Sequence, residues 1–423
     1  MRFRCYGLAV SSAGKLLKLA ASGVMLMTIG LGVPSTTAWA VTVMSTQVLY
    51  AGHGVGVIAT YDLNTGCSEV YISTNMIHWR NITPPLKKPA GIANGQCAYF
   101  WSSASFISPQ EGWLLARNGG STETILRRTL NGGRTWSAQP GGSTGSNGGA
   151  EAISFVSSAL GWRQQFGTGS NGNYSLERTV NGGATWALRS HDPHGSCVVA
   201  HDVFASASLG FAYVTPAPAT NATHLWRTTD GGVNWSLMTL ARPTTVSSTA
   251  LGLYGAPAFS GREGVVPVDY PDATGQAIYF YETHDGGLHW SLDRARPRVA
   301  ATGELHINAR SAAAQPCFGG DSTPVASGHV VVIASAGPTT WWILQPGGRG
   351  EGSIQVVALN ARPVASATLR DLPSTRNVTA LAALNARDAL VTLPLPYGYQ
   401  STYETSNGGS SWKRVTLPLP TAS

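Results

Sequence analysis

Residues 129–136 read Thr-Leu-Asn-Gly-Gly-Arg-Thr-Trp, and the pattern Thr-x-Asn/Asp-Gly-Gly-x-x-Trp returns at Thr179 to Trp186, Thr228 to Trp235, Thr283 to Trp290 and Thr405 to Trp412. A further copy, Ser73 to Trp79, is one residue short and lacks the glycines. Successive copies start 56, 50, 49, 55 and then 122 residues apart, the last interval holding two periods with one degenerate copy between. Seven repeats of roughly 50 residues result, a period that belongs to propellers and solenoids.

Each octapeptide has an upstream companion in which an aromatic is followed six residues later by Gly and usually a second aromatic. Phe106 with Gly112-Trp113, Phe155 with Gly161-Trp162 and Phe204 with Gly210-Phe211 show it, and Phe259 with Gly264-Val265 shows it more loosely. One unit reads as a short apolar strand, a turn, a second strand, a variable loop, a strand ending in Arg-Thr, the octapeptide turn and a last strand. Four short strands per repeat without helical periodicity predict an all-β fold, a β-propeller of seven four-stranded blades. The blades are expected at about 45–84, 97–140, 152–190, 199–241, 256–296, 303–364 and 377–417, in one domain over 41–423. The sixth, around His306 to Pro363, is expected to lack the octapeptide.

Composition agrees. Gly accounts for 50 of 423 residues, well above the usual ~7%, while charged residues are only 12% against a typical ~25%. Such a chain is neither a coiled coil nor a charged disordered segment, and its glycine points to many turns. The N-terminus carries Arg2, Arg4, Lys15 and Lys18, then an apolar stretch from Leu19 to Val33 and Ala38-Trp39-Ala40, the layout of a cleavable secretory leader over 1–40. Its removal leaves 24 basic and 21 acidic residues, a balance of +3, with no Lys/Arg cluster that argues for nucleic acid. A secreted or cell-envelope location follows, with membrane attachment only if the leader is retained.

Cys67, Cys97, Cys197 and Cys317 remain after that leader. An even count suits an oxidising compartment, and the spacings fit no zinc template. Cys67 with Cys97 is the preferred disulfide, because the two lie in neighbouring repeats.

The octapeptide explains itself as a hairpin turn. The third residue (Asn131, Asn181, Asp230, Asp285, Asn407) can accept backbone N–H bonds, the glycines (Gly133, Gly183, Gly232, Gly287 and Gly409 with their predecessors) admit positive φ, and the leading hydroxyl (Thr129, Thr179, Thr228, Thr283, Thr405) can close the loop. The closing indoles, Trp136, Trp186, Trp235, Trp290 and Trp412, are expected to be largely buried beneath their turns.

These copies resemble the Asp-box, or BNR, repeat of sialidases, sortilin-type receptors, some glucan hydrolases and the photosystem II stability/assembly factor family. The pairing of Phe-x5-Gly-Trp with Arg-Thr-x-Asn/Asp-Gly-Gly-x-Thr-Trp is most similar to the last. The resemblance spans most of residues 45–416 and implies a propeller; it says little about activity, because such blades carry unrelated functions.

Alternating turns place the A-B and C-D turns on one face and the B-C and D-A connections on the other, where a site is expected. Among those loops, His191, His194 and His201 offer donors for a divalent metal as an alternative to a plain polar loop. Asp269 and Asp272, read as part of a B-C loop, offer a general acid/base pair for a hydrolase. Glu111 and Glu263 fall in A-B turns on the opposite face. A sialidase would need converging arginines for a carboxylate. The Arg-Ile-Pro motif that the resemblance would supply is absent, although Arg80 and Arg117 are present. The expectation is a monomeric, exported, non-catalytic propeller that needs no cofactor and binds a protein, or else a glycan, at the B-C/D-A face. The alternative is a sialidase-like or glucan-directed glycoside hydrolase.

Overall fold

The computed structural model describes the strands and most turns between residues 44 and 418; residues 1–43, 308–330 and most connections on one face lie outside it. All described elements are strands, and no helix among the described residues is long and apolar enough to cross a membrane. The leader, Cys197 and Cys317 are outside the described residues.

Blade 1 comprises β1 (Met44–Gly52), β2 (Val55–Asp62), β3 (Ser68–Ser73) and β4 (Arg80–Asn81). Blade 2 comprises β5 (Tyr99–Phe106), β6 (Gly112–Asn118), β7 (Thr124–Thr129) and β8 (Ser137–Gln139). Blade 3 has β9 (Ala150–Phe155), β10 (Gly161–Phe166), β11 (Tyr174–Thr179) and β12 (Ala187–His191); blade 4 has β13 (Ala200–Phe204), β14 (Gly210–Val214), β15 (His224–Thr228) and β16 (Ser236–Met238). In blade 5 both edge positions of the sheet are split, with β17 (Leu253–Tyr254) and β18 (Ala258–Ser260) both beside β19 (Glu263–Asp272). Its β20 (Gly275–Thr283) likewise carries both β21 (Ser291–Leu292) and β22 (Val299–Ala301).

Blade 6 consists of β24 (Val331–Ser335), β25 (Thr340–Gln345), β26 (Ser353–Ala358) and β27 (Ala365–Thr368), with an added strand β23 (Leu305–Ile307) running parallel to β24. Blade 7 is β28 (Ala380–Ala383), β29 (Ala389–Pro394), β30 (Gln400–Thr405) and β31 (Lys413–Arg414). Every other pairing is antiparallel, and all but β17 with β19 and β20 with β22 join sequence neighbours, as repeated meanders require. Seven such sheets in a ring make an all-β, seven-bladed propeller.

The core lies in the seams between blades rather than at one centre. Six apolar clusters join blades 1 and 2, 2 and 3, 3 and 4, 4 and 5, 6 and 7, and 7 and 1, and Phe280 with Trp341 bridges blades 5 and 6. A blade covered on both faces loses the in-and-out alternation of a surface strand, and Val55 to Thr60 of β2 are buried without a break. Adjacent inner strands are also stitched by side chains: the Ile153 and Phe155 N–H groups donate to Ser103 Oγ at 3.2 Å and Ser105 Oγ at 2.9 Å. The ring shuts where Thr402 N–H donates to Thr46 Oγ1 at 2.8 Å and Trp79 Nε1–H to Glu404 Oε2 at 2.8 Å. Glu404 is half-buried, and that burial raises its pKa against the lowering effects of the indole donor and Lys413.

Candidate functional site

The C-D turns are built from their own side chains. In blade 2, Thr129 Oγ1 accepts the Gly133 N–H at 2.8 Å and donates to Asn131 Oδ1 at 3.1 Å, while Asn131 Oδ1 accepts the Thr135 N–H at 2.8 Å. Blades 3, 4, 5 and 7 repeat this through Thr179 and Asn181, Thr228 and Asp230, Thr283 and Asp285, and Thr405 and Asn407. The two glycines hold φ of 67° and 83° in blade 2, a region costly for residues with a Cβ. The shortened blade 1 copy manages with one such residue, Met76 at φ 56°, and its Asn75 Oδ1 accepts the Ile77 and His78 N–H groups at 3.0 and 2.9 Å.

The carboxylates in blades 4 and 5 are occupied by these turns. Partial burial raises the Asp230 pKa, but bonds from the Asn234 backbone and amide, the Thr228 hydroxyl and the Val233 N–H outweigh it and hold the group at about 2. Asp285 is lowered too, chiefly by the His289 N–H together with the His289 ring and Thr283. Each turn also ties down the A-B turn of its blade, the first glycine's N–H donating to Gln110, Ala159, Ser208, Arg262 and Arg387 carbonyls in blades 2, 3, 4, 5 and 7. Glu111 and Glu263 thus lie on the octapeptide face.

Four of the closing indoles are less enclosed than expected. Trp136, Trp186, Trp235 and Trp290 are half-buried, and only Trp412, at 5% exposure, is buried. Trp186, Trp235 and Trp290 stand just ahead of the outermost strand and each meets a ring of its own blade edge-on, Trp186 meeting Phe155 at 6.0 Å. The deep positions belong to the second-strand aromatics Trp113, Trp162 and Phe211, each at most 2% exposed.

On the opposite face, Cys67 in the β2–β3 connection is bonded to Cys97 ahead of β5, with the Cys97 N–H donating to Thr65 O at 3.0 Å. One B-C hairpin is thereby clamped to the D-A connection into the next blade. The pair Asp269 and Asp272 does not lie in a loop. Both belong to β19, where Asp269 is opposite Ile278 and Asp272 opposite Gly275, leaving only residues 273 and 274 as the connection. The apolar run from Val265 to Val268, buried without a break, was the signal for a strand here; the Pro-Asp dipeptide masked it.

His191 ends β12 of blade 3 and is exposed, His201 lies in β13 of blade 4, and His194 is outside the described residues. No group of three His, Cys, Asp or Glu placed to hold a metal occurs among the described residues. Of the two arginines named above, Arg80 Nη2 donates to Gly132 O in the next blade, and Arg117 lies 5.8 Å from the ring centroid of Phe100, its cross-strand partner in blade 2.

The class defined by these features is a seven-bladed β-propeller with Thr-Asn/Asp turns, an architecture that fits a BNR-type propeller. No family model matches the chain, and no curated protein matches it. Among solved structures it is similar to YCF48 from Cyanidioschyzon merolae, at 16% identity over 75% of this chain and 88% of that one with a TM-score of 0.38. It is also similar to a prolyl endopeptidase, at 10% identity over 90% of this chain and 50% of that one with a TM-score of 0.52. A third is the Hadza microbial sialidase Hz136, at 14% identity over 75% of this chain and 66% of that one with a TM-score of 0.42. At such identities the likeness is one of fold.

Proposed function

We propose that the protein is an exported, non-catalytic propeller that binds a protein partner through its B-C/D-A face and serves as a scaffold or assembly factor. The observation that supports this reading is the placement of Asp269 and Asp272 within β19 of one continuous hairpin and not in a long B-C loop. The octapeptide acids are consumed by turn geometry, and Arg80 and Arg117 are engaged in separate contacts, with Gly132 and with Phe100. The repeat's resemblance to photosystem II stability/assembly factors supports the same direction, in blade sequence and not in pathway. A disulfide on the loop face suits an oxidising compartment and so supports export.

The test is a panel of sialosides and glucans offered to wild type, Asp269→Asn and Asp272→Asn. No turnover is expected in any. Turnover in wild type that vanishes in either variant would replace this reading with a glycoside hydrolase.

A further inference from the structure

The arginines preceding the octapeptide threonines hold one register position in three successive blades: Arg128 faces Trp113, Arg178 faces Trp162 and Arg227 faces Phe211 across the second and third strands. Their surroundings differ. Between blades 2 and 3, Arg128 Nη2 donates to Glu111 Oε1 at 2.6 Å, and Ser158 Oγ of the next blade donates to Glu111 Oε2 at 3.0 Å. Glu111 directly precedes the glycine that opens β6. At the matching place before Gly161 stands Leu160, and where blade 3 offers Ser158, blade 4 offers Ala207. The seam between blades 3 and 4 therefore keeps the arginine but lacks both groups that hold a carboxylate against it. Arg178 has no carboxylate partner among the described residues; its Nε, like those of Arg128 and Arg227, is buried without a hydrogen bond. In the following seam Arg227 instead donates to Gly287 O at 3.0 Å.

A second guanidinium is brought to the seam between blades 3 and 4. The β11–β12 register slips between Leu176 and Glu177, so Arg189 is the extra residue between Leu188 and Ser190. Bulges of this kind re-aim a side chain. Arg189 Nε and Nη2 each lie 3.4 Å from a carbonyl, those of Gly231 and Asp230. Arg178 Nη1 converges on the same glycine, 2.9 Å from where a Cβ on Gly231 would stand. Burial and then the charge of Arg189 lower the Arg178 pKa. Val180 and Leu188 of blade 3 and Val233 and Leu237 of blade 4 are four of the eight exposed large hydrophobic residues among the described ones.

We propose that the seam between blades 3 and 4 is a docking site for an acidic polypeptide segment, one carboxylate of which enters between Arg178 and Arg189 as Glu111 does against Arg128. Paired guanidiniums suit a planar carboxylate. Exposed aliphatic side chains on both flanking blades suit acidic residues interspersed with aliphatic ones better than a bare anion. The occupant of the neighbouring seam is itself a peptide side chain. This surface lies on the octapeptide face and is independent of the loop-face reading above, so failure here leaves that reading standing.

The test uses the full chain and fluorescence anisotropy with a labelled, C-terminally amidated peptide alternating Leu and Glu. One control replaces Glu by Gln, and a second has the Gln sequence with a free C-terminal carboxylate. The Glu peptide should bind at least tenfold more tightly than its amidated Gln counterpart, and Arg189→Met should erase that difference. Leu160→Glu supplies the missing internal carboxylate and should block binding, whereas Leu160→Gln should bind within about twofold of wild type; thermal melts confirm that both are folded. Binding of the free-acid Gln peptide as tight as that of the Glu peptide supports the site with a chain terminus as the source of the carboxylate. Equal affinity for all three peptides, or an Arg189→Met variant that still prefers Glu, overturns the proposal.

Discussion

Trp113 of blade 2 lies flat on Phe155 of blade 3, ring centroids 3.8 Å apart and planes 1° from parallel. Trp162 repeats the arrangement on Phe204 at 3.8 Å and 3°, and Phe211 meets Phe259 at 4.9 Å. The two aromatics of the Phe-x5-Gly-aromatic element thus belong to different seams, the first receiving a ring from the blade before and the second offering one to the blade after. Because Trp113 and Trp162 are essentially inaccessible, replacing either with Ala should cost on the order of 3–5 kcal/mol. Half-buried Trp186→Ala should cost clearly less. Denaturant unfolding of the three variants checks the order, and a Trp186 variant as damaged as Trp162→Ala would contradict it.

The glycine inside that element is required by contact rather than by backbone angle. A Cβ on Gly161 would stand 2.5 Å from the Phe155 ring of the same blade. Gly161→Ala should therefore destabilise by about 1–3 kcal/mol through overpacking. Adding Phe155→Leu should recover part of the loss that either change produces alone, which a double-mutant cycle in urea would reveal.

Acid should weaken the turns of blades 4 and 5 selectively. A carboxyl lowered on folding contributes stability that is fully present above its unfolded pKa of ~3.9 and is lost as pH falls through its folded value, about 2 for Asp230. Asp230→Asn should flatten the fall in melting temperature between about pH 4 and pH 2. Blades 2, 3 and 7 already carry Asn at that place. An unchanged acid profile would mean that the carboxylate is not held by its turn.

Reduction of Cys67–Cys97 opens a loop with a sequence separation of 30, for which chain entropy predicts a loss of about 3–4 kcal/mol. The double variant Cys67→Ser/Cys97→Ser should show that loss and should no longer respond to added reductant.

Turn chemistry was legible because its partners lie within eight positions: Thr129, Asn131 and Gly133 bond one another, and the pattern of residue types states the geometry. The Phe-x5-Gly-aromatic spacing was equally visible, but its reason was not, since Trp113 finds Phe155 in the next repeat. Burial of the closing indoles was overestimated because an aromatic in a motif does not say how far out along the blade its strand lies. Asp269 and Asp272 were read as a loop from Pro271, whereas pairing with β20 on one side and β17 on the other draws the segment into the sheet. Arg189 carries no motif at all; its position follows from a one-residue slip in pairing.

Blade 1 is made entirely from the first four strands and blade 7 from the last four, so the ring is shut by side chains such as Thr46, Trp79 and Glu404 and by no shared sheet. Covalent order and geometric order are therefore separable in this molecule. A circular permutant that joins the two ends of the ring and opens the chain between any other pair of blades would keep all seven sheets whole. Which blade is made first is then a free variable, available to anyone who wishes to ask whether assembly of the ring has a preferred starting point.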